Sequence, residues 1–221
     1  MKKSLNNIKK LSIKTLYFNF KYLPFKQAIK FPIFISRNLY IKKAEGSIRL
    51  EAPAKTGLIR IGFGDTGIFD DKKSRSIWDV SGEVVFKGKT RVGHGSKISV
   101  GETGRLLFGD NFTITAESTI IAYSQVEFGR NCLLSWDILI MDTDLHTIKD
   151  NSGTVINPPK AICIGDNVWI GCRCTILKGA SIPHGSIVGA NSTISKSLDM
   201  RQAVYVGNPP KCVRENVFWE M

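Results

Sequence analysis

Three histidines occur in the chain, at positions 94, 146 and 184, and only the second has neighbours suited to acid–base work. It falls in SWDILIMDTDLHTIKD, residues 135–150, with Asp142 and Asp144 just before it. Imidazole has an ordinary pKa of about 6.5, so near neutral pH it can take a proton and release it again. A carboxylate two residues away can orient the ring or favour its protonated form. Two other readings stay open. A lone histidine in a polar loop is commonly a surface residue. Asp142, Asp144 and His146 also alternate, and in an extended segment they would share one side, as metal ligands do. His94, in GHG, and His184, in PHG, read as solvated turn residues.

The elements that would have to position His146 show a six-residue period. From 164 the chain reads IGDNVW, IGCRCT, ILKGAS, IPHGSI, VGANST, ISKSLD, with aliphatic residues at Ile164, Ile170, Ile176, Ile182, Val188 and Ile194. The fifth place of each hexad, Val168, Cys174, Ala180, Ser186, Ser192 and Leu198, is mostly small. Upstream the same beat runs through Phe86, Val92 and Ile98, then Phe108, Ile114, Ile120 and Val126, then Phe128, Leu134 and Ile140. Six helical steps fall about 120° short of two full turns, so a helix cannot hold such residues on one side. A three-sided coil can: each hexad makes one short face and a corner, and stacked rungs lie about 4.8 Å apart. About five coils fit between residues 84 and 197. Between Ile140 and Ile164 the beat is interrupted, and Asp150, Asn151, Ser152, Gly153, Pro158 and Pro159 mark an excursion, residues 142–161, with His146 near its base.

IGDNVWIG followed by IL, then VGANSTISK, then VGNPPK, resembles the hexapeptide-repeat acyltransferases, and within them the maltose, galactoside and polysaccharide O-acetyltransferases; the likeness covers residues 84–215. The resemblance implies an all-β, left-handed parallel β-helix, since periodicity alone does not set the hand. It implies a homotrimer that uses acetyl-CoA, with the cofactor lying between subunits. It makes His146 the general base that takes a proton from a sugar hydroxyl and passes it to the departing CoA sulfur, with Asp144 as its partner. By the same resemblance the donor would meet Trp169, Cys172, Ala190, Ser195 and Lys196, and its phosphates Lys211 and Arg214. Each of these also has a plain structural reading, Trp169 as a packing aromatic and the cations as solvated charges. The related γ-class carbonic anhydrases bind zinc through three histidines, two of them close in sequence; the histidines here are too widely spaced to repeat that, and no metal is expected. The acceptor region departs from maltose and galactoside enzymes: ITAESTIIAYSQ offers Glu117, Tyr123 and Ser124 as substrate-binding candidates in place of their Asn and Asp.

Of the formal net charge of +12, nearly all lies in the first 50 residues, which hold twelve Lys and Arg against Glu45 alone. That segment, 1–50, lacks the six-residue beat and mixes lysines with Tyr17, Phe18, Phe20, Tyr22, Phe25, Phe31, Phe34 and Tyr40, while Pro24 and Pro32 limit helices to short pieces. It suits contact with an anionic membrane surface, or a cap on the open end of a coil, or both. No nucleic-acid reader motif accompanies the charge. Five cysteines, at 132, 163, 172, 174 and 212, form no CxxC pair and read as reduced thiols, with Cys172 and Cys174 filling small-residue places. With no evident signal peptide or spanning segment, the expected location is cytoplasmic, with peripheral contact at the inner membrane face.

The expected layout is a basic segment 1–50, a lead-in 51–83, the coil 84–197 with its protruding loop, and an extension 198–221. The expected activity is acetyl transfer to a capsular or lipopolysaccharide glycan, on an acceptor that can be lipid-linked. Its alternatives are acyl transfer to a nucleotide sugar or small molecule, and a catalytically silent structural coil.

Overall fold

The computed structural model describes residues 12–220 apart from 65 and 72. Three strands make each coil. The first holds β1 (Ile33–Ile35), β2 (Tyr40–Ala44) and β3 (Ser47–Leu50); the second β4 (Ile59–Ile61), β5 (Ile77–Val80) and β6 (Glu83–Phe86); the third β7 (Thr90–Val92), β8 (Lys97–Val100) and β9 (Arg105–Phe108). The fourth holds β10 (Phe112–Ala116), β11 (Thr119–Ala122) and β12 (Gln125–Phe128); the fifth β13 (Leu133–Trp136), β14 (Leu139–Met141) and β15 (Ile162–Ile164); the sixth β16 (Trp169–Ile170), β17 (Thr175–Leu177) and β18 (Ser181–Ile182). β19 (Ile187–Val188) and β20 (Thr193–Ile194) carry the coil on, and β21 (Val204–Val206) and β22 (Lys211–Arg214) end it as an antiparallel pair. Every third strand pairs in parallel, which gives three sheets: one from β1 through β22, one from β2 to β20, one from β3 to β18. The architecture is an all-β parallel β-helix of three-sided turns.

The coil starts at Ile33, far upstream of residue 84, so residues 33–50 of the expected basic segment and all of the lead-in belong to the first two turns. Irregular turn length hid them. Ile33 pairs with Ile59 and Ile59 with Thr90, turns of 26 and 31 residues, whereas Trp169 pairs with Ile187 at 18. The third and fourth turns take 22 and 20 residues, Val92 to Ile114 and Ile114 to Leu134. At its other end the coil runs past 197 into β21.

Inward residues stack on their counterparts one turn away. Phe86, Phe108 and Phe128 form a column with centroid separations of 5.3 and 5.7 Å and nearly parallel rings. Such contacts contribute about 0.5–1.5 kcal/mol each beyond the area they bury. The small fifth-place residues are all buried at corners, where bulk would push the backbone apart. One corner repeats asparagine in the left-handed region, at Asn111, Asn131 and Asn167, whose side chains bond in a ladder at 3.1 and 3.0 Å. Asparagine tolerates that conformation better than other side chains.

The N-terminal end is closed by α1 (Ile13–Tyr22), with Pro24 separating it from the short α2 (Phe25–Ala28). β1 is an edge strand whose outer polar groups need partners. Asn19 accepts from Ile33 N at 3.2 Å and donates to Ile33 O at 2.7 Å, and Thr15 makes the matching pair with Ile35 at 3.0 and 3.3 Å. Residues four apart lie on one helix face, which is why Thr15 and Asn19 can act as a surrogate strand. Phe18 packs edge-on against Trp78 beside them. The reading of this segment as a cap fits these contacts; its residues 1–11 lie outside the described ones.

Candidate active site

The excursion leaves after β14 and rejoins at β15, which makes it residues 142–161. Ile140 pairs with Ile176, 36 residues on, twice the 18 of the next turn, so the loop adds one turn's worth of chain without shifting the stacking. Its root is locked. Lys160 N donates to Asp142 O at 3.0 Å. The buried Asp142 carboxylate accepts from the backbone N–H groups of Tyr123 and Ser124, each at 2.7 Å, on the rung below. Burial pushes that carboxyl above the usual carboxylate range, and the amides pull it back.

Above the root, Lys178 donates to Asp144 and, at 3.2 Å, to Asn157 O. Asn157 Nδ2 donates at 2.8 Å both to Asp144 Oδ2 and to His146 O. These bonds hold the backbone at His146 while its side chain stays exposed, with no hydrogen bond to its ring among the described residues. Asp144 therefore does not orient the ring: its carboxylate is taken by Lys178 and Asn157, and acts on His146 only through the chain. Those bonds hold the Asp144 carboxyl below the usual range, Lys178 contributing most. Asp142, Asp144 and His146 do not converge as the alternation suggested, because the two carboxylates turn to different partners.

The other candidates divide between two places. Tyr123 and Ser124 lie at the loop's corner, and the pairing of Ile176 with Ile194 sets Lys196, with Ser195 beside it, one rung above Lys178. Glu117 is at a different corner, where it binds Ser74 and lies 4.0 Å from Lys97, so it does not join Tyr123 and Ser124 as an acceptor-binding group. Trp169 stands outward on the first sheet, 37% exposed, its Nε1 3.3 Å from Ser135 Oγ and its ring 6.2 Å from Trp219. Cys172 and Ala190 sit at the neighbouring corner on adjacent rungs, and Lys211 and Arg214 are exposed on β22 of the sheet that carries Trp169. Within one chain the His146 group and the Trp169 group thus occupy different faces.

His94 is not a solvated turn residue: it is 2% exposed, against Phe69, because the long connection between β4 and β5 covers its corner. His184 is exposed. Burial pushes the Cys132 thiol up to about 12 and raises that of Cys174, which suits packing. Lys178 and Asn157 were invisible as site residues in the sequence, since only the stacking register brings them to Asp144.

The model of the family described as "Bacterial transferase hexapeptide (six repeats)" matches residues 164–196, the stretch of the coil with the strictest hexads. Among relatives, it is 28% identical to WbbJ of Escherichia coli (strain K12), named for O-acetyl transfer in lipopolysaccharide biosynthesis, over 63% of this chain and 77% of the relative. It is 38% identical to the polysialic acid O-acetyltransferase of Neisseria meningitidis over 47% of this chain and 48% of that one. The match thus spans about half the length of the meningococcal enzyme. Among solved structures, the hexapeptide-repeat acetyltransferase VCA0836 of Vibrio cholerae O1 biovar eltor, complexed with acetyl coenzyme A, is 23% identical with a TM-score of 0.49, over 60% of this chain and 70% of that one.

Proposed function

We propose that the protein transfers an acetyl group from acetyl-CoA to a hydroxyl of a bacterial capsular or lipopolysaccharide glycan. The observation that carries this reading is His146: an exposed imidazole on a backbone held by Asn157, at the base of a loop whose root is locked by Asp142. The names of the relatives, O-acetyltransferases of surface glycans, supply the substrate class.

In this reading a nitrogen of His146 takes the proton of the sugar hydroxyl as its oxygen attacks the thioester carbonyl. The tetrahedral adduct collapses, the C–S bond breaks, and the imidazolium returns the proton to the sulfur, leaving an acetyl ester and free CoA. No acyl-enzyme is needed. Asp144 and Lys178 act as positioning residues for the loop. Trp169, Cys172 and Ala190 would line the pantetheine arm, and Lys211 and Arg214 the phosphates. Because the His146 and Trp169 groups lie on different faces, one copy would supply the base and its neighbour the donor face, as in a homotrimer. The loop also exposes Leu145, Ile148, Val155 and Ile156, apolar side chains that another copy could cover.

The outer face of the cap favours peripheral contact with an anionic membrane. Ile13 and Phe25 are 81% and 70% exposed, Tyr17 and Phe20 about half so, and Lys21, Lys26 and Lys30 stand among them. Each cation near anionic headgroups contributes about 1 kcal/mol. No helix among the described residues is long and apolar enough to cross a membrane, so the contact would lie on the surface. A lipid-linked acceptor at the inner membrane face would then be close to the site.

The test is release of CoA thiol by the purified protein with acetyl-CoA and candidate glycans. His146→Ala should lower the rate about a hundredfold or more. Unchanged turnover in that variant would remove the assignment of the base.

A further inference from the structure

One outward column of the first sheet carries Arg60, Arg91, Thr113, Leu133 and Trp169 on successive rungs. The register pairs Arg60 directly with Arg91, which puts the two residues on adjacent rungs at about the strand spacing of 4.8 Å. No carboxylate among the described residues lies within ion-pair distance of either. Arg60 is the more enclosed: its Nε donates to Gly57 O at 3.3 Å and its guanidinium carbon lies 6.0 Å above the Phe34 ring. Like charges opposite one another on a sheet are destabilising unless an anion lies between them. Burial lowers the Arg60 pKa, and Arg91 lowers it further.

The two arginines open on a cavity of about 560 Å³ walled by Phe63, Gly64, Thr66, Thr113 and Thr115. That is far larger than an ion and within the range of small-molecule sites, about 300–1,000 Å³. The Thr115 hydroxyl oxygen is buried and has no partner. Both ring nitrogens of the buried His94 are also unpaired, and its ring lies next to the Gly64 wall. Buried polar atoms are seldom left unpaired, and these lie beside a cationic cavity that a polar ligand would fit. Guanidinium groups suit planar oxyanions because they offer forked N–H pairs, while Phe63 offers an apolar surface to the carbon skeleton of a sugar.

We propose that this cavity binds the acid group, carboxylate or phosphate, of an acidic sugar, and that the acceptor is therefore an acidic glycan. The second half rests on the acetyl-transfer reading above; the binding site does not. The cavity shares its column with Trp169, two rungs beyond Thr113, so a glycan anchored here would lie on the face assigned to the donor.

The experiment is isothermal titration calorimetry on the full chain without acetyl-CoA, using a galacturonic acid oligomer as the carboxylate probe, glucose 1-phosphate as the phosphate probe and maltotriose as the neutral control. At least one acid probe should bind about tenfold or more tightly than maltotriose, more weakly at higher salt, and the arm that binds names the acid group. Arg91→Gln, an exposed position whose folding is checked by its melting curve, should lose about tenfold in affinity, and Arg91→Lys should regain part of it. Thr115→Val gives a second variant on the cavity wall, with a smaller expected loss. Equal binding of acid and neutral probes, or undiminished binding by Arg91→Gln, overturns the proposal. Thiol release in the same preparations separates the two readings: turnover without acid-selective binding removes only the acidic acceptor, and binding without turnover removes only the transferase.

Discussion

At the scale of single residues, the loop depends on charges that face neighbouring rungs and leave the histidine ring alone. Lys178 is the link between Asp144 and the Asn157 carbonyl, and Asn157 in turn holds the His146 carbonyl. Lys178→Gln should therefore free the loop while leaving the chemistry intact: kcat for thiol release should fall about tenfold, KM for acetyl-CoA should stay within about twofold, and amide exchange across 144–157 should quicken. Equal exchange rates in variant and parent would sink this positioning role. The pH dependence has a definite sign. An acid held below its ordinary pKa, about 3.9, contributes its stabilisation in full above that value and loses it as pH falls through the lower folded value. The tie of Asp144 to Lys178 should thus persist throughout the neutral range and fail only in strong acid. The imidazole could be singled out in the sequence because the repeat broke around it. Its supports could not, since Lys178 occupies an ordinary place in ILKGAS and meets Asp144 only after 34 residues of coil. Glu117 shows the same limit: six residues before Tyr123 is a different corner of the triangle.

At the scale of elements, the helical cap has two faces with separate tasks. Its inner face completes the edge of β1 through Thr15 and Asn19, and its outer face presents aromatic rings among lysines. Substitutions should therefore separate stability from membrane contact. Asn19→Ala leaves the Ile33 N–H and C=O without partners, each costing about 1–3 kcal/mol, so the melting temperature should fall. Phe20→Glu with Phe25→Glu should leave melting nearly unchanged and abolish sedimentation with anionic vesicles. Vesicle binding that survives the double substitution would remove the membrane role. Strict hexads made the coil from Ile164 to Ile194 readable, because one aliphatic residue in six points inward at a constant interval. The first two turns carry no readable period because the connection between β4 and β5 and the one after β3 lengthen them, and lengthened corners erase a period without disturbing the pairing of strands.

At the scale of the whole molecule, the His146 group stands at the corner after the second sheet, while Trp169, Lys211 and Arg214 stand on the first. A rigid coil cannot bring two of its own faces together, because its core is filled by the stacked aliphatic and aromatic columns. If both groups act in one reaction, the reacting pair must come from two copies in a closed ring. Mixing tests this directly. His146→Ala and Trp169→Glu should each be close to inactive alone. When equal amounts are unfolded together and refolded, a three-membered ring predicts that about three quarters of the assemblies are mixed and that each mixed ring holds one interface where an intact His146 faces an intact Trp169. About a quarter of the parental thiol-release rate should return. A single-chain site would return none, since every copy would then lack one of its own two groups.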